Sequence, residues 1–303
     1  MMCGKYDPKI SSVDGRRVSD ENQAKGIYWG INTENFPYGI YHYSTMYLTA
    51  TTAREYIDHM NSNPPEVLRG YPSGISSLAN YIKQQNLKLN FQLKAIYLTS
   101  ENILEEHVKV IEDVFGCKVW GQYGHSETSI FAFRKPNSEK YYCFPQYGIT
   151  EIIKDNGQHA EIGEMGEIVV TGFTNTALPF IRYKTGDLAV FGGIQNGYVV
   201  LEKLLGRSGD YIINANGDKI YLVGFIFGGH LSIFNHVENW QIVQNEPAKL
   251  DINIIKSKSY TQQVESELIN FLADNGFNAN IQYVENMLKT SRGKQKFLIQ
   301  NVK

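Results

Sequence analysis

The run VLRGYPSGISSLANYIKQQNLKLNFQLKAIYLTSENILEEHVKVIEDVFG, Val67 to Gly116, decides the fold class. VLRGY (Val67 to Tyr71) reads as a strand, and Ile75, Leu78, Ala79 and Ile82 then recur at helical spacing up to Asn86. The unit repeats at once. KAIYLTS (Lys94 to Ser100) is the next strand, and Leu104, Val108, Ile111 and Phe115 form the stripe of the next helix, with Gly116 placed to end it as a C-cap. Strands alternating with helices of this length predict a mostly parallel sheet covered by helices.

Upstream, Thr51 to Met60 has helical spacing and stops at Asn63-Pro64-Pro65, because proline has no backbone donor and clashes with the preceding turn. The opening forty residues are polar, rich in Gly and Tyr and weakly periodic. They resemble the interior of a domain. After Cys117 the pattern changes to short strands separated by turn residues: CKVWGQYG, SIFAFRK, YGITEIIKD, GEIVVTG, LPFIRY and DLAVFG. Beyond Leu205 it changes again, to strands around Tyr211 and Gln241, a β run from Asp251 to Ile255, a capped helix from Thr261 to Ala273 closed by Asn275-Gly276, and a last strand near Lys296 to Ile299. The fold class expected is α/β, with a small α+β domain at the end.

Composition narrows the function classes. A length of 303 residues with 42% hydrophobic and 20% charged residues is that of an ordinary globular chain of one large or two modest domains, and two is the expectation. A formal charge of −2 gives no electrostatic argument for nucleic acid or anionic lipid as a partner. Cys3, Cys117 and Cys143 are odd in number and far apart, which disfavours a disulfide framework and a C-x-x-C metal site and fits a reducing cytoplasm. The start lacks a signal-peptide core, and YLVGFIFGGHLSIF (Tyr221 to Phe234) is too short and glycine-broken to span a bilayer.

Four stretches carry chemistry. In WGQYGHSETS (Trp120 to Ser129), Glu127 offers a hard oxygen to magnesium, Tyr123 a flat face for a base and Gly124 close backbone approach, although the same residues read equally well as a polar loop on a strand end. In RYKTGDLAVF (Arg182 to Phe191), Asp187 could accept from the two hydroxyls of a ribose; alone, a hairpin turn is the simpler reading. In LLGRSGDYI (Leu204 to Ile212), Arg207 could contact ribose or phosphate, against a solvated turn arginine. In KTSRGKQKF (Lys289 to Phe297), Lys294 could reach a phosphoryl oxygen, though most surface lysines do nothing.

Taken in order, the four resemble the adenylate-forming superfamily, and most closely its phenylacetate-CoA ligase family and the capsular polysaccharide biosynthesis (CapK) branch of it. RGYPSGISSLANYI, LTSENILEEHVKVIEDVFGCKVWGQYGHSET, GEIVVTGFTNTALPFIRYKTGDLAVF and LLGRSGDYI carry the resemblance, which runs from about Tyr41 to the end. It implies that residues 1–206 form a partial nucleotide-binding domain, a parallel sheet with helices plus a β-rich subdomain, and that residues 207–303 form a mobile α+β domain.

The resemblance further implies ATP and Mg2+ as cofactors, CoA as the acyl acceptor and a small carboxylic acid as substrate. Tyr123 becomes the adenine-stacking aromatic, Gly124 its neighbour in the nucleotide site and Ser126 a phosphate contact. Glu127 becomes the magnesium ligand, Asp187 the ribose clamp and Arg207 its partner. Lys294 bridges carboxylate and α-phosphate. Residues near Tyr97 to Glu101 and Phe144 to Gly148 are expected to line the acid pocket.

Two departures shape the expectation. The family's Ser/Thr/Gly-rich phosphate loop with its lysine has no counterpart in residues 1–303, and SGISS (Ser73 to Ser77) has no lysine and opens an ordinary helix. The chain is therefore expected to be truncated, with three explanations open: a truncated gene, a split enzyme with a complementing chain, or a degenerate homologue that only binds; a gene remnant with an uncovered apolar face is expected to self-associate. GGIQNGYVVLEK lacks the cysteines that some relatives carry before the joint, so no zinc is expected. Gly209 stands where the family has an acidic residue, followed by Asp210, and a looser joint is expected there.

Overall fold

Leu68, Ile75, Leu78, Ile96, Leu98 and Ile111 have no solvent exposure. They are the residues of the Val67 to Gly116 run whose spacing predicted strand, helix, strand, helix. The computed structural model describes residues 8–33, 38–222, 225–226, 231–290 and 294–302. Cys3, part of the 221–234 stretch and the tip of the loop before Lys294 (291–293) lie outside the described residues. Two compact units are present: residues 1–123, 134–138 and 290–294 in one, and residues 124–133, 139–289 and 295–303 in the other.

The first unit contains β1 (Ile10–Asp14), α1 (Asp20–Ala24), β2 (Trp29–Ile31), β3 (Tyr41–Ser44), α2 (Ala53–Ser62), β4 (Val67–Gly70), α3 (Pro72–Gln85), β5 (Ala95–Leu98), α4 (Glu105–Phe115) and β6 (Val119–Gly124). Its strand order is β2-β3-β1-β4-β5-β6. From β3 to β6 every pairing is parallel, and β2 closes the edge antiparallel to β3. The α/β class is thus observed.

Three sequence readings are corrected here. VLRGY ends as a strand at Gly70, because Tyr71 is the N-cap of α3 and Pro72, whose missing donor costs nothing at a helix start, occupies its first turn. CKVWGQYG pairs parallel with β5, so it is the last strand of the parallel set and not the first of the β-rich part. ISSVD, in the stretch taken as weakly periodic, is the central strand β1, with Ser11 and Ser12 2% and 1% exposed. A strand covered on both faces shows no alternation, and buried serines look like loop residues in a sequence.

Helix ends follow local chemistry. Gly116 takes the left-handed conformation at φ 64° and its N–H donates to Glu112 O, so α4 stops as its sequence predicts. In the first turn of α4, Glu106 Oε1 and His107 Nδ1 are buried without a hydrogen-bond partner. Burial disfavours both charged forms: the Glu106 carboxyl is pushed up to about 7 and the His107 imidazole down to about 4.

The second unit begins with β7 (Phe131–Arg134), β8 (Tyr141–Cys143), β9 (Gly148–Ile153), β10 (Met165–Gly172), β11 (Tyr183–Gln195) and β12 (Tyr198–Arg207), in the order β7-β8-β12-β11-β10-β9. The ladders from β8 through β9 are antiparallel. The strand expected over LPFIRY is absent. Leu178 and Ile181 are 62% and 75% exposed, Arg182 has φ 47°, and the ladder starts only at Tyr183. Pro179 supplies no donor for a ladder there.

The chain continues with β13 (Tyr211–Ile213), β14 (Lys219–Tyr221), β15 (Val237–Glu246), β16 (Lys249–Lys256), α5 (Gln262–Asp274), β17 (Asn278–Tyr283) and β18 (Leu298–Gln300). A four-stranded sheet, β17-β16-β15-β18, packs Trp240, Ile242, Ile252 and Ile254 against Leu268 and Leu272 of α5. Thr261 is the N-cap of α5 by position, but its side chain makes no capping bond. No helix among the described residues is long and apolar enough to cross a membrane.

The loop that carries Lys294 is built by hydrogen bonds at its base. Gln241, fully buried in β15, donates through its side-chain amide to Leu288 O at 3.1 Å and Lys296 O at 2.7 Å. Gln295 returns a bond to Trp240 O at 2.9 Å. Buried amides of this kind stay only when their donors and acceptors are used, which fixes the two legs of the loop.

Candidate active site

The site in the second unit starts from an irregularity within β11, where its pairing with β10 shifts register. Gly186 has φ 74°, a left-handed conformation that costs glycine little, and its N–H donates to Glu167 Oε1 at 3.1 Å. Beside it the buried Thr185 hydroxyl donates to Ile168 O at 2.8 Å and accepts the Asp187 N–H at 3.1 Å. Asp187 is thereby held by its own backbone.

Across the β11–β12 ladder, Asp187 and Arg207 are register partners. Arg207 Nε lies 3.4 Å from Asp187 Oδ1, and Arg207 Nη2 donates to Thr185 O at 2.9 Å. The arginine side chain is 67% exposed and the aspartate 21%. The pair therefore adds little to stability, and the arginine orients the carboxylate. After Arg207 the chain closes a turn: Asp210 Oδ2 accepts the Arg207 N–H at 3.2 Å, and the Asp210 N–H donates to Arg207 O at 2.9 Å. Gly209, where a looser joint is expected, lies within this turn. Burial raises the Asp210 carboxyl, against the lowering effect of its hydrogen bond to Arg207.

Glu127 reaches the same place from the segment after β6. His125 Nδ1 is 3.2 Å from Glu127 Oε2, and the His125 ring meets Tyr183 edge-on with centroids 6.1 Å apart. Burial holds the His125 imidazole below its ordinary range, while Glu127 and Asp187 pull it up and Arg207 pushes it down. One imidazole feels all three charges, so Glu127, Asp187 and Arg207 share a single neighbourhood.

Of the other sequence candidates, Ser126 and Gly124 are exposed, and Gly124 runs close to Ile130 O, which a Cβ would meet at 3.0 Å. Tyr123 and Lys294 belong to the first unit. Tyr123 is half-buried at the end of β6, and Lys294 Nζ lies 5.7 Å from the centre of the Tyr71 ring. Sequence reading missed His125, Thr185 and Glu167. His125 sits inside the motif already quoted. Glu167 acts across a ladder, and only the register shows that.

Magnesium fits the donor set in one specific way. Among the described residues no group of three or more His, Cys, Asp and Glu could form a metal cage. Glu127 is a single, 36% exposed carboxylate, the kind of ligand that suits an ion held mostly by water and substrate phosphates.

With this geometry in view, solved structures define the class. A 2-hydroxyisobutyryl-CoA ligase in the postadenylation state, in complex with its acyl-AMP, matches with a TM-score of 0.70 and 17% identity over 97% of this chain and 65% of that one. An anthranilate CoA ligase in complex with anthranoyl-AMP matches with a TM-score of 0.60 and 15% identity over 82% of this chain and 51% of that one. The fold is that of adenylate-forming CoA ligases.

Sequence comparison narrows the class further. Residues 212–301 match the CapK C-terminal domain. The chain is 26% identical to Protein CapK of Staphylococcus aureus, over 97% of this chain and 65% of that protein. It is 24% identical to a phenylacetate-coenzyme A ligase of Thermus thermophilus, over 68% of this chain and 48% of that protein. These matches support an adenylate-forming, CoA ligase-like family, with CapK among its relatives. The chain spans about two thirds of the length of CapK and about half that of the Thermus ligase.

Proposed function

We propose that this chain takes part in activating a carboxylic acid with ATP and Mg2+ to an acyl-adenylate, which is then passed to a thiol such as CoA. The observation that carries the reading is the pairing of Arg207 with Asp187 across the β11–β12 ladder, with the His125–Glu127 pair within electrostatic reach of both. Asp187 accepts from the ribose hydroxyls, Arg207 orients Asp187 and covers the ribose, and Tyr123 with Gly124 takes the adenine. Ser126 contacts phosphate. Glu127 holds magnesium, whose charge offsets that of the phosphates.

In the first step a carboxylate oxygen bonds to the α-phosphorus, the bond to the bridging oxygen breaks and pyrophosphate leaves. Two anions must meet, and Lys294 between them lowers that repulsion. We assign residues 1–206 to the nucleotide-binding part and residues 207–303 to a part that turns about the Arg207 joint. The match of residues 212–301 to a CapK C-terminal domain supports that division. We place the protein in the cytoplasm, with a complementing chain that carries a phosphate loop as a partner.

Carboxylate-dependent exchange of pyrophosphate into ATP tests this, with and without Lys294→Ala. Loss of roughly 100-fold is expected, and equal, measurable rates for the two proteins reject the role of Lys294. The second reading, nucleotide binding without turnover, expects no exchange in either protein and AMP bound about as well as ATP.

A further inference from the structure

Across the parallel strands of the first unit, one register row runs Ser12, Arg69, Tyr97, Trp120 on β1, β4, β5 and β6. Residues paired in this way project from the same face of a sheet. It is the face opposite Leu68, Ile96 and Leu98, whose side chains are fully buried. Tyr97 and Trp120 stack, with centroids 6.4 Å apart, and Tyr97 stays 39% exposed.

Arg69 is the unusual member of the row. Its guanidinium is half-buried and lies against the Tyr38 ring, 4.9 Å from the ring centre. Among the described residues it has no hydrogen-bond acceptor and no ion-pair partner. Burial and the neighbouring Arg16 charge depress it, while the nearby Asp14 partly supports its charge. A half-buried guanidinium whose donors meet no protein acceptor is open to an oxyanion that fits its fork.

The neighbouring donors are already engaged. Arg16 spends its guanidinium on both Asp14 oxygens, on Ser12 and on Asn32, at 2.7 to 3.1 Å. At the start of α3, Glu101 accepts the Ser73 N–H at 3.0 Å, so that helix terminus holds its own carboxylate. Among the described residues of this neighbourhood, Arg69 is the arginine left without an acceptor. Its place suits a ligand: β1 lies between β3 and β4 in a parallel set, the reversal of strand order at which α/β sheets bind ligands beyond their carboxyl ends.

We propose that Arg69 receives a second anionic group of the acid substrate, a second carboxylate, while the carbon skeleton lies along Tyr97 and Trp120. The inference deepens the acid-activation reading by naming the charge of the substrate. Lys294, over Tyr71, engages the carboxylate to be activated, and Arg69 holds the one that is not.

The test uses the whole chain without nucleotide and reads Trp fluorescence and calorimetry. The probes are glutarate and terephthalate, their monoanionic counterparts butyrate and benzoate, and inorganic pyrophosphate. At least one dicarboxylate is expected to bind tenfold or more tighter than its monoanionic counterpart. Arg69→Gln should abolish that preference, and Arg69→Lys, which keeps charge but not the fork, should retain part of it, with both variants checked for wild-type melting behaviour. Equal binding of mono- and dicarboxylates by the wild type overturns the proposal. So does a preference that survives Arg69→Gln, or pyrophosphate as the tightest Arg69-dependent ligand. AMP titration stands apart: its failure removes the adenylation reading, whereas loss of the dicarboxylate preference removes this one.

Discussion

Asp187 and Arg207 face each other as register partners on adjacent antiparallel strands, with Arg207 Nε 3.4 Å from Asp187 Oδ1. The pair is exposed on the arginine side, so it orients charge without contributing much to folding. Arg207→Gln should lower AMP affinity about tenfold while moving the melting temperature by less than about 2 °C. Calorimetry and thermal melting on the same preparation check this, and a large loss of stability would contradict it.

Gly186 sits at the register shift in β11 that presents Asp187. A Cβ there would stand 3.2 Å from Arg207 Nη2 in a left-handed backbone. Gly186→Ala is expected to cost roughly 1–2 kcal/mol in stability and to weaken AMP binding with it, because strain and displacement of Arg207 occur together. Denaturant melts and AMP titration measure the two effects.

Glu106 makes stability depend on pH. Its carboxyl titrates near the usual 4.5 when unfolded and is pushed up to about 7 by burial in the fold. The folded state therefore holds a proton that the unfolded chain releases. This contribution is fully present below pH 4.5 and is lost as pH rises through 7, to roughly 3 kcal/mol. Glu106→Gln should raise the melting temperature by about 5 °C at pH 8 and leave it unchanged at pH 4.5. His107 acts in the opposite sense. Pushed down to about 4, it costs stability as pH falls from its ordinary 6.5.

Gln241 ties both legs of the Lys294 loop. Gln241→Leu leaves the carbonyls of Leu288 and Lys296 without that donor and should cost about 2–4 kcal/mol, with faster amide exchange over residues 288–296. Unchanged exchange there would show that the loop does not depend on this side chain.

The sequence was most informative where one period governed a segment. Ile75, Leu78 and Ile82 bury one side of α3, and Ile111 with Phe115 does the same for α4, so spacing alone placed them. It was least informative at β1, where Ser11 and Ser12 are buried inside a strand with no alternation to read. Asp187 and Arg207 were recognisable as motif residues, and the ladder brings them together. His125 and Glu167 act only through that ladder and its neighbours, and pairing across strands leaves no local pattern. LPFIRY shows the converse. Its residues suit a strand, yet an exposed segment containing a proline never joins one.

The central claim is that Glu127, Asp187 and Arg207 surround one nucleotide, and titration of AMP into the wild-type chain and Asp187→Asn by calorimetry tests it most directly. Saturable AMP binding is predicted for the wild type, weakened about 30-fold or more in the variant, since the amide keeps one acceptor oxygen and loses the charge that strengthens bonds from the ribose hydroxyls. The same affinity in both proteins, or no binding in either, would contradict it.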